Sequence, residues 1–489
     1  RGPAGRGGGG GRGRGPPAGA APPPPHGDVL QDGATGQAVA TDTRADCAGA
    51  VFVALRGENH DSHDYLDRAV AAGCVGLVVD RDVDVARLQR EAGLRGAQAP
   101  FVVRVADTGQ ALLALAREHR RRSRAKVVGI TGSCGKTSTK EWLGAVLEAA
   151  MPTVRSPGSF NNQIGVPLTL FQLKPETRAA VVEIGTNAPG EIAQLTGVAR
   201  PDVAIVTCVA PAHLEGLGSL EGVAREKSSL PRGLTADGVC LLNGDDPACR
   251  AMADQTPARV EWFGIERRAD WFATDVRTEG TSTSFLLQGA RRVTVPRLGR
   301  HNVYNALAVL AAAHHLGAPE DLVVAQLAAV PSASRRLEPK RAAGVTILDD
   351  TYNMNPASAR SSLAAAVAFD AERRGRSILV FGGMAELGAR SAELHNRLGE
   401  QVAACRRDLL VCVGAEAEAI AAGAIAAGMP ADAVACVADA QAAHGLLRAQ
   451  LNAGDVVLCK ASRRVRLDLL VDQLVEDLGA DEGGEVGRG

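Results

Sequence analysis

Residues 126–147, KVVGITGSCGKTSTKEWLGAVL, restrict what this chain can fold into more than any other stretch. A short apolar run, 127–130, reads as a buried strand. The chain then turns through Gly132, Ser133, Cys134 and Gly135 and opens a helix at Lys136, Thr137 and Ser138. Strand, glycine turn and helix start make a cradle for phosphate, because glycines let backbone N–H groups approach an anion and the helix N-terminus adds partial positive charge. Lys136 can then reach a β- or γ-phosphate, and the Thr137 hydroxyl can hold Mg²⁺. The common GxxxxGK[ST] spacing would need glycine at position 130, where Ile130 stands, so this is the shorter TGSxGKT form. An ordinary βα turn is the plain alternative. The strand before and the amphipathic helix after favour nucleotide binding.

Around this stretch, short Val-rich runs alternate with helical ones, which predicts an α/β chain built on mostly parallel sheets. Its 489 residues allow several domains. Residues 1–28, rich in Gly, Pro and Arg, have almost nothing to bury and read as a disordered tail. Their arginines and glycines are the only argument for an RNA-binding arm; a linker, or chain upstream of the true start, is the plainer reading. Residues 29–123 read as a small α/β domain with a helix over 65–72. The basic run 120–126 reads as a hinge. Residues 124–330 read as a central ATP-binding domain, with a helix over 299–318. A second doubly wound sheet of four strands is expected over 331–480, with a frayed acidic tail over 481–489.

In open sheets of this kind, ligands sit outside the carboxyl ends of the strands. Glu183, near the end of the run 179–185, and His213, just beyond the run 202–209, therefore belong at the rim of the cradle. There a carboxylate and an imidazole can serve Mg²⁺ or phosphate. Singly, each would read as a solvated strand end or a satisfied loop histidine. The chain is 46% hydrophobic and 22% charged with a net charge of -1, so no nucleic-acid or membrane partner is implied. Ten cysteines without a CxxC pair fit a reducing, cytoplasmic setting.

Many segments, in order, resemble the Mur ligases of peptidoglycan synthesis. TDTR (41–44) and VFVALRGENHDSHDY (51–65) carry the likeness first. TGSCGKTSTKE, FNNQIGVPLTL, VVEIGTNAPGEI, AHLEGLGSLEGVAREKSSL and GRHNVYNAL follow, and then SRRLEP, DDTYNMNPAS, MAELG and KASR. The resemblance implies three domains: a UDP-binding domain, a central P-loop ATPase domain and a C-terminal Rossmann-like one. It also implies ATP-dependent amide formation through an acyl phosphate. The DDTYNMNP and NNQIGVPLTL forms point, within the family, to the activity that joins D-alanyl-D-alanine to UDP-N-acetylmuramoyl-tripeptide.

Carried over residue by residue, the resemblance implies that 132–138 bind the ATP phosphates, with Lys136 on the γ-phosphate. Thr137, Glu183 and His213 would serve two Mg²⁺ ions. Lys227, otherwise a surface helix lysine, matches the lysine that this family carbamylates with CO₂, which requires a free amine. Lys136, Lys227 and His213 would be the catalytic residues. Asn302 would contact adenine, and Arg336 and Asp350 would close onto the nucleotide. Thr43 and Arg44 would hold the UDP-sugar, and Asn161, Asn162, Gln163 and Asn355 would line the substrate path. A monomer is expected. Gly383, Ala461, the run 464–466 and Arg335 depart from the family's usual residues, which bears on the C-terminal domain's docking. Readings left beside this one are another amide ligase of the superfamily, tripeptide-forming or folylpolyglutamate synthase-like, a P-loop kinase, and a non-catalytic relative. The last should have lost Lys136, Glu183 or Lys227, and none is lost.

Overall fold

The computed structural model describes residues 28–31, 36, 38–57, 59–91, 100–267, 269–330, 334–369 and 375–485. The expected N-terminal tail, apart from Asp28, lies outside them, as do residues 486–489 of the acidic tail. The last helix, Leu467–Glu485, takes in the first residues of that tail. The chain forms two compact units, residues 1–114 and 115–489.

The first unit holds a five-stranded sheet: β1 (Asp28–Gln31), β2 (Ala38–Ala40), β3 (Ala50–Val53), β4 (Gly76–Val79) and β5 (Phe101–Arg104), in the order β1-β5-β4-β3-β2. Strands β2 to β5 are parallel, and β1 closes the edge antiparallel to β5. Phe52, Leu66, Leu77, Val79 and Leu88 fill its core. The expected helix is Leu66–Ala71, entered through a 3₁₀ turn, Ser62–Tyr65, which the Asp61 carboxylate caps by accepting from the His63 N–H.

The second unit carries two sheets. The larger contains β6 (Lys126–Thr131), β7 (Thr153–Arg155), β8 (Ala179–Glu183), β9 (Val203–Val206), β10 (Val239–Asn243), β11 (Arg259–Gly264), β12 (Trp271–Glu279), β13 (Ser282–Leu287) and β14 (Arg291–Val295). Their order is β14-β13-β12-β11-β10-β9-β6-β8-β7. From β7 across to β12 the pairs are parallel, and β13 and β14 extend the edge as antiparallel ribbons. Helices cover the sheet, so β8 and β9 are buried along their whole length and read as continuous apolar runs. Trp142 and Leu143, on helix Lys136–Ala150, pack with Val303 and Leu307, on helix His301–His315, in one core.

The smaller sheet contains β15 (Glu338–Ala342), β16 (Val345–Asp350), β17 (Ser377–Gly382), β18 (Leu409–Val413), β19 (Val434–Val437) and β20 (Val456–Lys460), in the order β15-β16-β20-β17-β18-β19. The four expected strands are present. The sequence reading missed the two edges, antiparallel β15 and the half-buried β19. The expected hinge at 120–126 needs correction. Arg120 belongs to helix Thr108–Arg122, is 8% exposed, and donates to the carbonyls of Ala199 (2.9 Å) and Arg200 (3.1 Å) and to Asp202 (3.2 Å). These bonds hold the Arg120 guanidinium within the second unit. Among the described residues no helix is long and apolar enough to cross a membrane.

Candidate active site

Strand β6 lies where the order of the large sheet turns, with β8 on one side and β9 on the other, so a crevice opens at its carboxyl end. The glycine turn leaves β6 into that crevice. Gly132 has φ +151°, and a Cβ there would lie 1.8 Å from the Thr207 hydroxyl. Gly135, at φ +84°, would meet the Asn305 side-chain oxygen at 2.6 Å. Both positions exclude a larger residue, and the tight turn they permit delivers Lys136 and Thr137 to the helix N-terminus. The Lys136 ammonium donates to the Gly132 carbonyl at 2.6 Å, folded over the mouth that a phosphate would fill.

A cavity of about 650 Å³ stands over this turn. Ser133, Cys134, Gly135, Lys136, Thr137 and Ser138 line it on one side. Glu183, at the end of β8, is 1% exposed. One of its oxygens accepts from the Asn161 amide at 2.8 Å, and the other is buried with no hydrogen-bond partner. Leaving an ionised carboxylate oxygen unpaired and buried is costly, so this atom fits a cation ligand. Among the described residues no three His, Cys, Asp or Glu side chains gather as a metal cluster. Any cation here would need the Thr137 hydroxyl or another oxygen donor beside Glu183.

Lys227 ends helix Leu220–Lys227 and, contrary to the surface lysine that its sequence neighbours predict, is 2% exposed. Burial first, and then the Lys136 charge, pull its pKa from 10.5 down to about 7. A large fraction is therefore the free amine near neutrality, the form that adds CO₂. His213 lines the cavity in a left-handed backbone turn at φ 54°. Its Nδ1 pairs with Glu386, whose carboxyl is held below its usual range chiefly by that bond. Ligation through this ring would have to use Nε2.

The opposite wall comes from the loops around the smaller sheet. Arg336 donates to the Thr137 hydroxyl at 3.2 Å and stacks over the Tyr352 ring at 4.1 Å. Asn355 donates to the Ser133 carbonyl at 3.3 Å and accepts from the Cys134 thiol at 3.3 Å. Asp350 ends β16 opposite Lys460 at the end of β20, and the two pair at 2.6 Å. Asn302, 6% exposed, lines the cavity and is oriented by the Leu298 carbonyl at 2.9 Å.

Not every expected residue meets this cavity. Asn161 lines it, whereas Asn162 caps the Gly165 N–H at 2.9 Å and Gln163 donates to Glu191 at 2.7 Å. Thr43 and Arg44 belong to the first unit, where an exposed Arg44 pairs with Asp42 at 2.6 Å. The sequence reading missed Lys140, 0% exposed, which donates to the carbonyls of Ser156 (2.8 Å) and Gly158 (2.7 Å) and fixes the loop leading to Asn161. It also missed Lys460, whose signal was its place at a strand's carboxyl end in KASR. The departures have local partners. A side chain on Gly383 would meet Glu416 at 2.3 Å, and Glu416 pairs with Arg464. Arg335 pairs with Asp472 at 2.7 Å, and Ala461 is wholly buried.

The sequence pattern of the Mur ligase middle domain matches residues 130–313, and that of the Mur ligase glutamate ligase domain matches 335–463. A UDP-N-acetylmuramoyl-tripeptide--D-alanyl-D-alanine ligase of Escherichia coli (strain K12) is 39% identical over 401 residues, 81% of this chain and 85% of that protein. The crystal structure of MurF from Acinetobacter baumannii superposes with a TM-score of 0.80 at 32% identity, covering 90% of this chain and 93% of that one. MurF ligase from Thermotoga maritima, solved with ADP, gives a TM-score of 0.79 at 28% identity over 91% and 99%. With the nucleotide cradle, the buried acidic strand end and the three α/β sheets all present, the chain belongs to the Mur ligase family.

Proposed function

We propose that the chain is an ATP-dependent amide ligase that joins D-alanyl-D-alanine to the terminal carboxylate of UDP-N-acetylmuramoyl-tripeptide. The observation that carries the reading is the unpartnered buried oxygen of Glu183 in the same cavity as Lys136 and Thr137. A carboxylate is a poor electrophile, so it first attacks the γ-phosphate of ATP, and ADP leaves. The amine of the dipeptide then attacks the acyl phosphate, phosphate leaves, and an amide remains. Lys136 neutralises charge on the transferring group from the cradle, and Arg336 and Asn355 hold the second wall against it to exclude water. Mg²⁺ held by Thr137 and Glu183 would neutralise phosphate charge.

Carbamylation of Lys227 belongs to the same proposal. A buried amine near neutrality adds CO₂ and then presents two anionic oxygens, donors that no cluster of His, Cys, Asp and Glu side chains supplies among the described residues. The reading divides the chain into a UDP-sugar holder over 29–123, an ATP-binding part over 124–330 and a dipeptide-binding part over 331–480, working in the cytoplasm as a monomer. Phosphate release from ATP is the test. It should require both the UDP-linked tripeptide and D-alanyl-D-alanine. Release with a single amino acid instead would assign a different ligation, and absence of oxygen exchange between carboxylate and phosphate would remove the acyl phosphate.

A further inference from the structure

The cradle contains two thiols that the ligation does not use. Pairing of Thr131 with Val206 in β6 and β9 carries the two chains side by side past the strand ends, where the Ser133 N–H donates to the Cys208 carbonyl at 2.9 Å. Cys134 follows, its carbonyl accepting from the Thr207 hydroxyl and from the Cys208 thiol, the latter at 3.6 Å. The Cys208 thiol therefore lies against Cys134, and each thiol is the first influence on the other's acidity. Both line the 650 Å³ cavity and are partly exposed, whereas Cys47, Cys74, Cys240, Cys249, Cys412 and Cys459 are buried. A reactive thiol needs access, a cationic surrounding and, for reversible chemistry, a second thiol within reach. Cys134 has all three. The hydrogen bond to Cys208 comes first among the effects holding it below the ordinary thiol range, with Asn355, Lys136 and Lys460 assisting against burial.

We propose that Cys134 and Cys208 are an oxidation site for hydroperoxides built into the nucleotide cradle, and that their disulfide closes the cradle to ATP. The Cys134 sulfur attacks the terminal hydroperoxide oxygen and the O–O bond breaks. The leaving alkoxide or hydroxide takes up a proton, and Cys134 becomes a sulfenic acid. The Cys208 thiol, held protonated by its bond to Cys134 and by burial, gives up its proton as its sulfur attacks the Cys134 sulfur; the S–O bond breaks, and that proton departs with the hydroxide as water. Two thiols lose two electrons and two protons, and the hydroperoxide is reduced to an alcohol (or water) and a water. In the product the Cys134 sulfur is turned toward Cys208 and its bond to Asn355 is lost, which removes one of the links between the cradle and the opposite wall. The consequence for ATP rests on the proposed nucleotide reading of the cavity; the thiol chemistry does not.

The test treats the full chain with hydrogen peroxide and maps its cysteines by mass spectrometry without reduction, alongside ADP binding by calorimetry. A Cys134–Cys208 linkage is expected, formed at least ~10-fold more slowly under saturating ADP, with ADP affinity falling at least ~10-fold and recovering with dithiothreitol. In Cys208→Ser, dimedone should trap the sulfenic acid on Cys134. The exposed Cys436, the register partner of buried Cys412 in β18 and β19, is the internal comparison. Oxidation of Cys436 while Cys134 stays reduced would overturn the site. A linkage that leaves ADP affinity unchanged would overturn the closure. Failure of the reduced chain to bind ADP would instead sink the nucleotide reading and leave the mapped linkage standing.

Discussion

Two lysines in the second unit are almost equally buried, and they do opposite things. Lys460 is 1% exposed, and its ammonium meets the Asp350 carboxylate at 2.6 Å and the Asn353 carbonyl at 3.0 Å. Lys227 is 2% exposed and has no ion-pair or hydrogen-bond partner among the described residues. Burial alone disfavours the charged form; a carboxylate at contact distance restores it. Lys460 is therefore committed to the ion pair that ties β20 to β16, and Lys227, its pKa lowered to about 7, is in large part a free amine open to chemistry. The two side chains differ only in company.

That contrast can be broken by experiment. The largest effect expected is on activity: Lys227→Ala should lose about 10³-fold in kcat, on the scale of removing one major charge-stabilising group. Short-chain carboxylates added to the buffer should return part of it. Unchanged turnover would strip Lys227 of its role. Next in size is stability. Lys460→Met leaves Asp350 buried without its cation and should cost about 3 kcal/mol in urea unfolding. Lys227→Met, by removing an unpaired buried amine, should not lower the unfolding midpoint below that of the unsubstituted chain. If both variants lose stability equally, the distinction between them fails. The Asp350→Asn/Lys460→Met double variant should recover about 1–3 kcal/mol relative to the summed single effects, since the pair is directly coupled.

The smallest effect lies in pH. His301, beside Asp350 and Lys460, is pulled by burial from 6.5 to about 4. Between these values the unfolded chain binds more protons, so stability present above pH 6.5 is lost as pH drops toward 4. Because Lys460 contributes to that depression and Asp350 opposes it, Lys460→Met should narrow the window from its lower end. A histidine titration by NMR would read this directly, and an unmoved value would mean that Lys460 does not act there.

What could be read from the chain follows the same divide between contiguous and assembled features. The cradle was legible because strand, glycines and helix start are adjacent in sequence, and the backbone itself does the work. Glu183 was legible because a parallel strand buried on both faces ends where ligands bind. Lys227 was singled out by the family resemblance alone, because a lysine at the end of VAREK looks like a solvated helix face until the fold turns Val223, Glu226 and Lys227 inward together. The basic run misled for a related reason: Arg120 is fixed by carbonyls 79 and 80 residues away. The ribbons β12 to β14 lie at the sheet edge, where half-exposed, alternating positions give a weak apolar signal. Cys208 followed a strand without any motif of its own, and only the register of β6 with β9 sets it against Cys134.

The wall opposite the cradle is held at more than one level. Near the glycine turn, Arg336 reaches Thr137 at 3.2 Å, Asn355 reaches Ser133 at 3.3 Å and Cys134 reaches Asn355 at 3.3 Å. These are long bonds, each worth about 1 kcal/mol or less net of the water that would replace it. Farther out, His213 pairs with Glu386 and Ser159 with Tyr352. Leu214, Leu217 and Leu298 also share one core with Leu337, Met354 and Met384. The weakest links of the seam therefore lie beside the glycine turn, and the apolar contacts keep the two walls in register when those links exchange with water.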